Sequence, residues 1–141
     1  MIIDTSAVLA ILFDEDDAAR FADAIADAEQ RAMSAANFLE AGIVVDNQLG
    51  AAAGRQLDAL LARAEVEVAP VTRAQAEIAR QAYLDYGKGR HPARLNFGDC
   101  FAYALAKTAS RPLRYKGDDF SRTDIAAAHG EKRGQVRMAQ A

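Results

Sequence analysis

The first three residues constrain this chain more than any other stretch. Met1-Ile2-Ile3 is wholly apolar and runs straight into Asp4-Thr5-Ser6, which starts a helix over Ala7-Val8-Leu9-Ala10-Ile11-Leu12-Phe13. A strand that is apolar on both faces has to be covered on both, and a helix that follows at once supplies one cover. The combination predicts a central parallel sheet with helices packed against it.

The same alternation continues along the chain. Asp14-Glu15-Asp16-Asp17 opens a second helix to about Ala28, with its acids at the positive end of the helix dipole. As a charge run it reads as a solvated helix start. Arg31 to Ser34 is a short strand, and Ser34 caps a third helix carrying Asn37, Glu40 and Ile43 to Val45. Gly50 to Gly54 breaks the pattern, and Gln56 to Arg63 is a fourth helix. Val66 to Val71 alternates and includes Pro70, as a strand leaving a sheet does, and Thr72 caps a fifth helix to about Tyr86. Gly87 to Arg94 is a loop rich in glycine and positive charge. Asn96 then caps a sixth helix, with Phe97 at its first position and Asp99 at its third. Pro112 to Tyr115 is a late strand, and Lys116-Gly117-Asp118-Asp119-Phe120 turns just beyond it. Strands alternating with helices specify an α/β fold.

At 141 residues the chain suits one compact domain with no internal repeat. Residues 1–125 form that domain, and 126–141 read as a polar, basic tail. The single cysteine, Cys100, is expected to be a small buried side chain in a reducing compartment. The longest apolar run, Ala7 to Phe13, is too short to span a bilayer, and Met1 to Asp4 has no basic leader, so the expected location is the cytoplasm. The net charge of -3 neither favours nor excludes nucleic acid.

Chemistry enters with the acids. On the sixth helix Phe97, Phe101, Ala104, Leu105 and Thr108 share a mostly apolar face, and Asp99 falls nearly opposite, beside Ala102, Tyr103 and Ala106. One carboxylate at a helix start is ordinary electrostatics. Three comparable acidic points change that reading. Asp4 ends the first strand, Asp118 and Asp119 follow the late strand, and Glu40 lies on a helix face shared with Ala36, Asn37, Ile43 and Val44. Sites in open α/β sheets form beyond the carboxyl ends of the strands, so residues that follow strands converge there. Clustered carboxylates repel and call for a cation, and hard oxygen donors without His or Cys select Mg²⁺ or Mn²⁺ over zinc. Such a site suits hydrolysis at phosphorus. Thr5 and Ser6, beside Asp4, are placed to orient a carboxylate or a water.

Together these residues carry a resemblance. Met1 to Ala7, Glu40, Asn96 to Ala106 and Lys116 to Asp124 are similar to a PIN-domain ribonuclease, and more closely to the VapC toxins of bacterial type II toxin–antitoxin modules. The likeness runs in matching order over about residues 1 to 125. It implies a central parallel sheet of four to five short strands flanked by helices. It also implies that Asp4, Glu40 and Asp99 are acids of a metal site, with Asp118 or Asp119 as the fourth. The family's activity is Mg²⁺-dependent endonucleolytic cleavage of RNA, often a tRNA or a ribosomal RNA loop, which halts translation. A homodimer and inhibition by a cognate VapB-type antitoxin are implied as well.

Lys88, Arg90, His91 and Arg94 form a basic cluster just before Asp99, and Lys116 adds charge after the late strand; these are the candidate RNA contacts. His91 is expected on solvent or phosphate, not on metal, and His129 is read as loop-bound. Tyr86, Tyr103 and Phe97 either stack on bases or belong to the core. Ala7 to Phe13, with Phe21 and Ile25, are either an apolar groove for an antitoxin segment or core. Rival readings are weaker. A haloacid-dehalogenase-like phosphatase needs a second Asp two residues after the first, where this chain has Ser6. A response-regulator receiver wants paired acids near its start. A catalytically silent PIN-like binding module is the remaining alternative.

Overall fold

The computed structural model describes residues 1–128. Four short strands form one parallel sheet: β1 (Ile2–Ile3), β2 (Ala32–Ser34), β3 (Glu67–Ala69) and β4 (Leu113–Arg114), in the order β3-β2-β1-β4. Ile2 pairs with Ala32 on one side and with Leu113 on the other, which makes β1 a central strand. Six helices cover the sheet: α1 (Thr5–Leu12), α2 (Ala18–Asp27), α3 (Ala35–Leu49), α4 (Ala51–Arg63), α5 (Arg73–Tyr86) and α6 (Phe97–Ala109).

The two isoleucines of β1 explain the layers. Successive side chains on a strand point to opposite faces. Ile2 therefore belongs to one core with Leu95, Tyr103, Leu105 and Leu113, beneath α5 and α6. Ile3 belongs to the other, with Val8, Phe21, Ile25, Met33 and Leu57, beneath α1, α2 and α4. Both isoleucines are fully buried. This settles the groove question for part of the first two helices: Ala7, Val8, Ala10, Phe21 and Ile25 are core, while Leu9, Ile11, Leu12 and Phe13 remain only half-buried. Cys100 is buried as expected.

Some boundaries differ from the sequence expectation. The helix predicted from Asp14 starts at Ala18, because Asp14 adopts a left-handed φ of 52° and the acids before Ala18 form a link. The helix predicted from Gln56 starts at Ala51: the break is Gly50 alone, at φ 87°, and Gly54 continues the helix. Residues 126–128, read from sequence as the start of the tail, pair with β4. Leu113 N–H donates to Ala126 and Ala128 N–H donates to Leu113, so this segment runs parallel to β4. Residues 129–141, His129 among them, lie outside the described residues.

The faces of α6 also differ. Ala104 and Leu105 of the predicted apolar face are buried, but so are Ala102, Tyr103 and Ala106 on the Asp99 side, whereas Phe97 is 78% exposed. Small alanines let the helix approach the sheet closely, so α6 is covered by β1, β2, α3 and α5 together. Among the described residues no helix is long and apolar enough to cross a membrane.

Candidate active site

Each acid is positioned by a local device that its neighbours supply. Asp4 is the N-cap of α1: its Oδ2 accepts from Ser6 N–H at 3.0 Å and from the Ser6 hydroxyl at 2.6 Å. The Ser6 Oγ in turn accepts from Lys116 N–H at 2.9 Å, which ties the turn beyond β4 to the end of β1. Asp99 and Asn96 form a capping box at the start of α6. Asn96 Oδ1 accepts from Asp99 N–H at 2.9 Å, and Asp99 Oδ2 accepts from Asn96 N–H at 3.0 Å. Glu40, on α3, accepts from the Thr5 hydroxyl at 2.6 Å. Thr5 thus orients Glu40, and Ser6 orients Asp4.

Electrostatics join the acids into one unit. Burial pushes the Asp4 carboxyl up to about 6, opposed by the Ser6 hydrogen bonds and reinforced by the charge of Glu40. Burial pushes Asp99 up to about 7, and the charges of Asp4, Asp119 and Glu40 raise it further. Desolvation and like charge both disfavour the ionised form, so the carboxyls hold protons at a pH where isolated ones would not. Asp119 is the member of the late pair that acts on Asp99. Burial, with the charge of Asp118 adding to it, raises the Tyr115 phenol, and both aspartates are exposed.

The donors are carboxylate oxygens without a His or Cys among them, the set that suits a hard divalent cation. Among the described residues no three His, Cys, Asp or Glu side chains stand close enough together to hold a metal ion as they are placed. Mg²⁺ keeps several waters and takes few protein ligands directly, so an open arrangement of acids fits it.

The basic candidates divide. Lys88, Arg90 and Arg94 are exposed on the loop that leads into α6, closed by Lys88 N–H to Leu95 and Leu95 N–H to Tyr86. His91 is turned inward: its Nδ1 accepts from Ala93 N–H at 3.0 Å, and its ring stands edge-on to Tyr86 at 5.2 Å. Lys116 is engaged with acids, its Nζ lying 2.5 Å from Glu15 and 3.1 Å from Asp17. Tyr103 is buried and donates to Asp124 at 2.6 Å, which makes it structural. Phe97, by contrast, presents its ring to solvent two residues before Asp99, with Phe101 edge-on at 4.9 Å.

Two residues that sequence reasoning did not single out sit inside this arrangement. Asn37 is fully buried on α3 and donates from Nδ2 to the Gly98 carbonyl at 3.0 Å, with Glu40 Oε1 at 3.4 Å. Its signal was spacing, three residues before Glu40 on the same helix face. Gly98 carries a different signal, a glycine in the first turn of an otherwise good helix.

The chain is similar to known proteins over most of its length. The family model described as "PIN domain" matches residues 1–126. Ribonuclease VapC28 of Mycobacterium tuberculosis is 55% identical over 129 residues, covering 91% of this chain and 97% of that protein. Ribonuclease VapC of Mycolicibacterium smegmatis is 53% identical, covering 92% and 100%. Among solved structures, M. tuberculosis VapC20, described as a sarcin-ricin loop cleaving toxin, superposes with a TM-score of 0.73 at 19% identity, covering 89% of this chain and 95% of that one. A toxin–antitoxin complex from Klebsiella pneumoniae follows at 0.66 and 17%, covering 87% and 92%.

Proposed function

Because the chain belongs to the PIN-domain family, and within it to the VapC ribonucleases, we propose that Asp4, Glu40, Asp99 and Asp119 form a Mg²⁺ site at which it cuts RNA as the toxin of a type II toxin–antitoxin module. Mn²⁺ substitutes for Mg²⁺ in this reading. The observation that carries it is the elevation of both Asp4 and Asp99, two carboxyls from different elements raised by burial and by neighbouring acids. A protein keeps such groups together where a cation is to neutralise them. A bound divalent ion supplies positive charge for the scissile phosphate and acidifies water.

The chain's own residues do the rest. Ser6 fixes the Asp4 carboxylate and Thr5 fixes Glu40. Asn96 holds Asp99 through the capping box. Exposed Lys88, Arg90 and Arg94 sit on flanking phosphates of the RNA, and the exposed Phe97 ring offers a surface for a base. The substrate is a tRNA or ribosomal RNA loop. The partners are a second copy of the chain and a cognate VapB-type antitoxin. Exposed Leu39, Ile43 and Phe97 support contacts with protein, since apolar side chains of that size favour a covered surface.

The test is cleavage of a total-RNA pool by purified protein with Mg²⁺, with Mn²⁺ and with EDTA, alongside Asp99→Asn. Metal-dependent cutting at discrete positions, lost in the variant, is the expected result. Cutting that persists in EDTA or in Asp99→Asn overturns the assignment.

A further inference from the structure

Gly98 has no backbone reason to be glycine. It lies in the first turn of α6 and does not adopt a left-handed φ, and glycine is a poorer helix residue than alanine. The space beside it explains the choice. A Cβ built on Gly98 would stand 2.1 Å from Glu40 Oε2 and 2.7 Å from Glu40 Cδ and Oε1, and these are its three nearest atoms. The volume that any other side chain would fill is therefore occupied by the Glu40 carboxylate.

The approach is enforced from the α3 side. Asn37, fully buried, donates to the Gly98 carbonyl at 3.0 Å and so fastens the first turn of α6 to α3 across 61 residues of sequence. Its Oδ1 has no hydrogen-bond partner among the described residues, although buried amide oxygens are usually satisfied. The clamp therefore leaves a buried acceptor unmet in order to hold the two helices at this separation. Thr5 closes the other side of Glu40.

We infer that Gly98 is a positioning residue of the active site: its missing side chain admits the Glu40 carboxylate to the acid cluster, and the Asn37 clamp keeps that opening in place. The inference rests on Glu40 being a site acid. Its consequence is a split between stability and function. Alanine at position 98 improves the helix and meets only the far end of a flexible side chain, so the fold tolerates it. The Glu40 carboxylate, however, has to leave.

The test is a double-mutant cycle on the full chain with Gly98→Ala, Glu40→Ala and the pair. Mn²⁺ affinity is measured by calorimetry without RNA, thermal unfolding is followed in EDTA, and RNA cleavage is followed separately. Gly98→Ala is expected to weaken Mn²⁺ binding and cleavage by about tenfold or more, the range seen when groups supporting a metal ligand are lost. Its melting temperature is expected to be no lower than wild type. The pair is expected to bind and cleave no worse than Glu40→Ala alone, because the atoms that the new methyl would strike are gone. Wild-type Mn²⁺ affinity in Gly98→Ala overturns the inference, as do losses that multiply in the pair or a lowered melting temperature that accounts for them. If Glu40→Ala itself binds and cleaves normally, the failure belongs to the assignment of Glu40.

Discussion

Two acidic clusters among the described residues behave in opposite ways. Glu15 and Asp17 come from the densest acidic run in the chain, and Lys116 bridges them at the surface. Each partner's charge stabilises the other's, and the Lys116 ammonium is held above its usual range by these two acids. Asp4, Glu40 and Asp99 are scattered through the sequence one at a time. Folding gathers them where burial and neighbouring carboxylates push Asp4 and Asp99 upward. The lesson is that acid density in a sequence says little about a site. What matters is whether the fold supplies the compensating cation itself or leaves that to a ligand.

The comparison can be broken most decisively at Asp99. Asp99→Asn keeps an acceptor for the capping box but removes the charge, and should lower cleavage by at least about 100-fold, beyond the effect of losing a group that only supports a ligand. Unfolding in EDTA should show unchanged or raised stability, since a repelling charge is gone. Equal activity in the variant would erase the distinction between the clusters.

A pH series tests the same point in the wild-type protein. Asp4 near 6 and Asp99 near 7 lie above the ordinary value of 3.8 that they regain on unfolding. The folded chain therefore holds more protons than the unfolded chain between about pH 4 and 7, so metal-free stability should fall as pH rises through that window. Saturating Mg²⁺ should flatten the decline, because it binds the ionised carboxylates. At limiting Mg²⁺ the cleavage rate should drop as pH falls from 7 to 6, and added metal should shift that drop to lower pH. Chemical denaturation at fixed pH, with and without the ion, reads the first effect, and initial rates read the second.

Ser6→Ala sharpens the comparison by loosening one acid without removing it. The hydroxyl both donates to Asp4 and accepts from Lys116 N–H. Its loss should cost about 1–2 kcal/mol in denaturant unfolding and about tenfold in cleavage rate. The smallest effect is expected at the surface cluster. Glu15→Gln together with Asp17→Asn should leave the melting temperature within about 2 °C of wild type, because exposed ion pairs contribute little. A shift as large as that of Ser6→Ala would show that this link between α2 and the β4 turn matters to the fold.

Much of this architecture was legible from residues close together in the chain. Ile2 and Ile3 specify a strand buried on both faces, and Ser34, Thr72 and Asn96 mark helix starts that the structure places at those residues. Asp99 at the third helical position was readable because the capping box spans only three residues. The errors fell where local pattern competes with packing. The Gly50 to Gly54 stretch reads as one break, but Gly54 sits in α4 because a helix can absorb an isolated glycine. The apolar face read on α6 is buried at Ala104 and Leu105 but not at Phe97, which opens to solvent at the helix start. Periodicity counts hydrophobic side chains and does not see that small alanines permit the closest approach to the sheet.

By itself the sequence determined the alternation of strands and helices, the caps, and which acids follow strands, because each depends on neighbours a few bonds away. Only the tertiary structure brings the charge of Asp119 to bear on Asp99, engages Lys116 with Glu15 and Asp17, and sets Glu40 in the space beside Gly98. Those facts depend on distances between residues tens to a hundred positions apart in the chain. Such distances are set by how the helices pack on the sheet, and no local pattern encodes them.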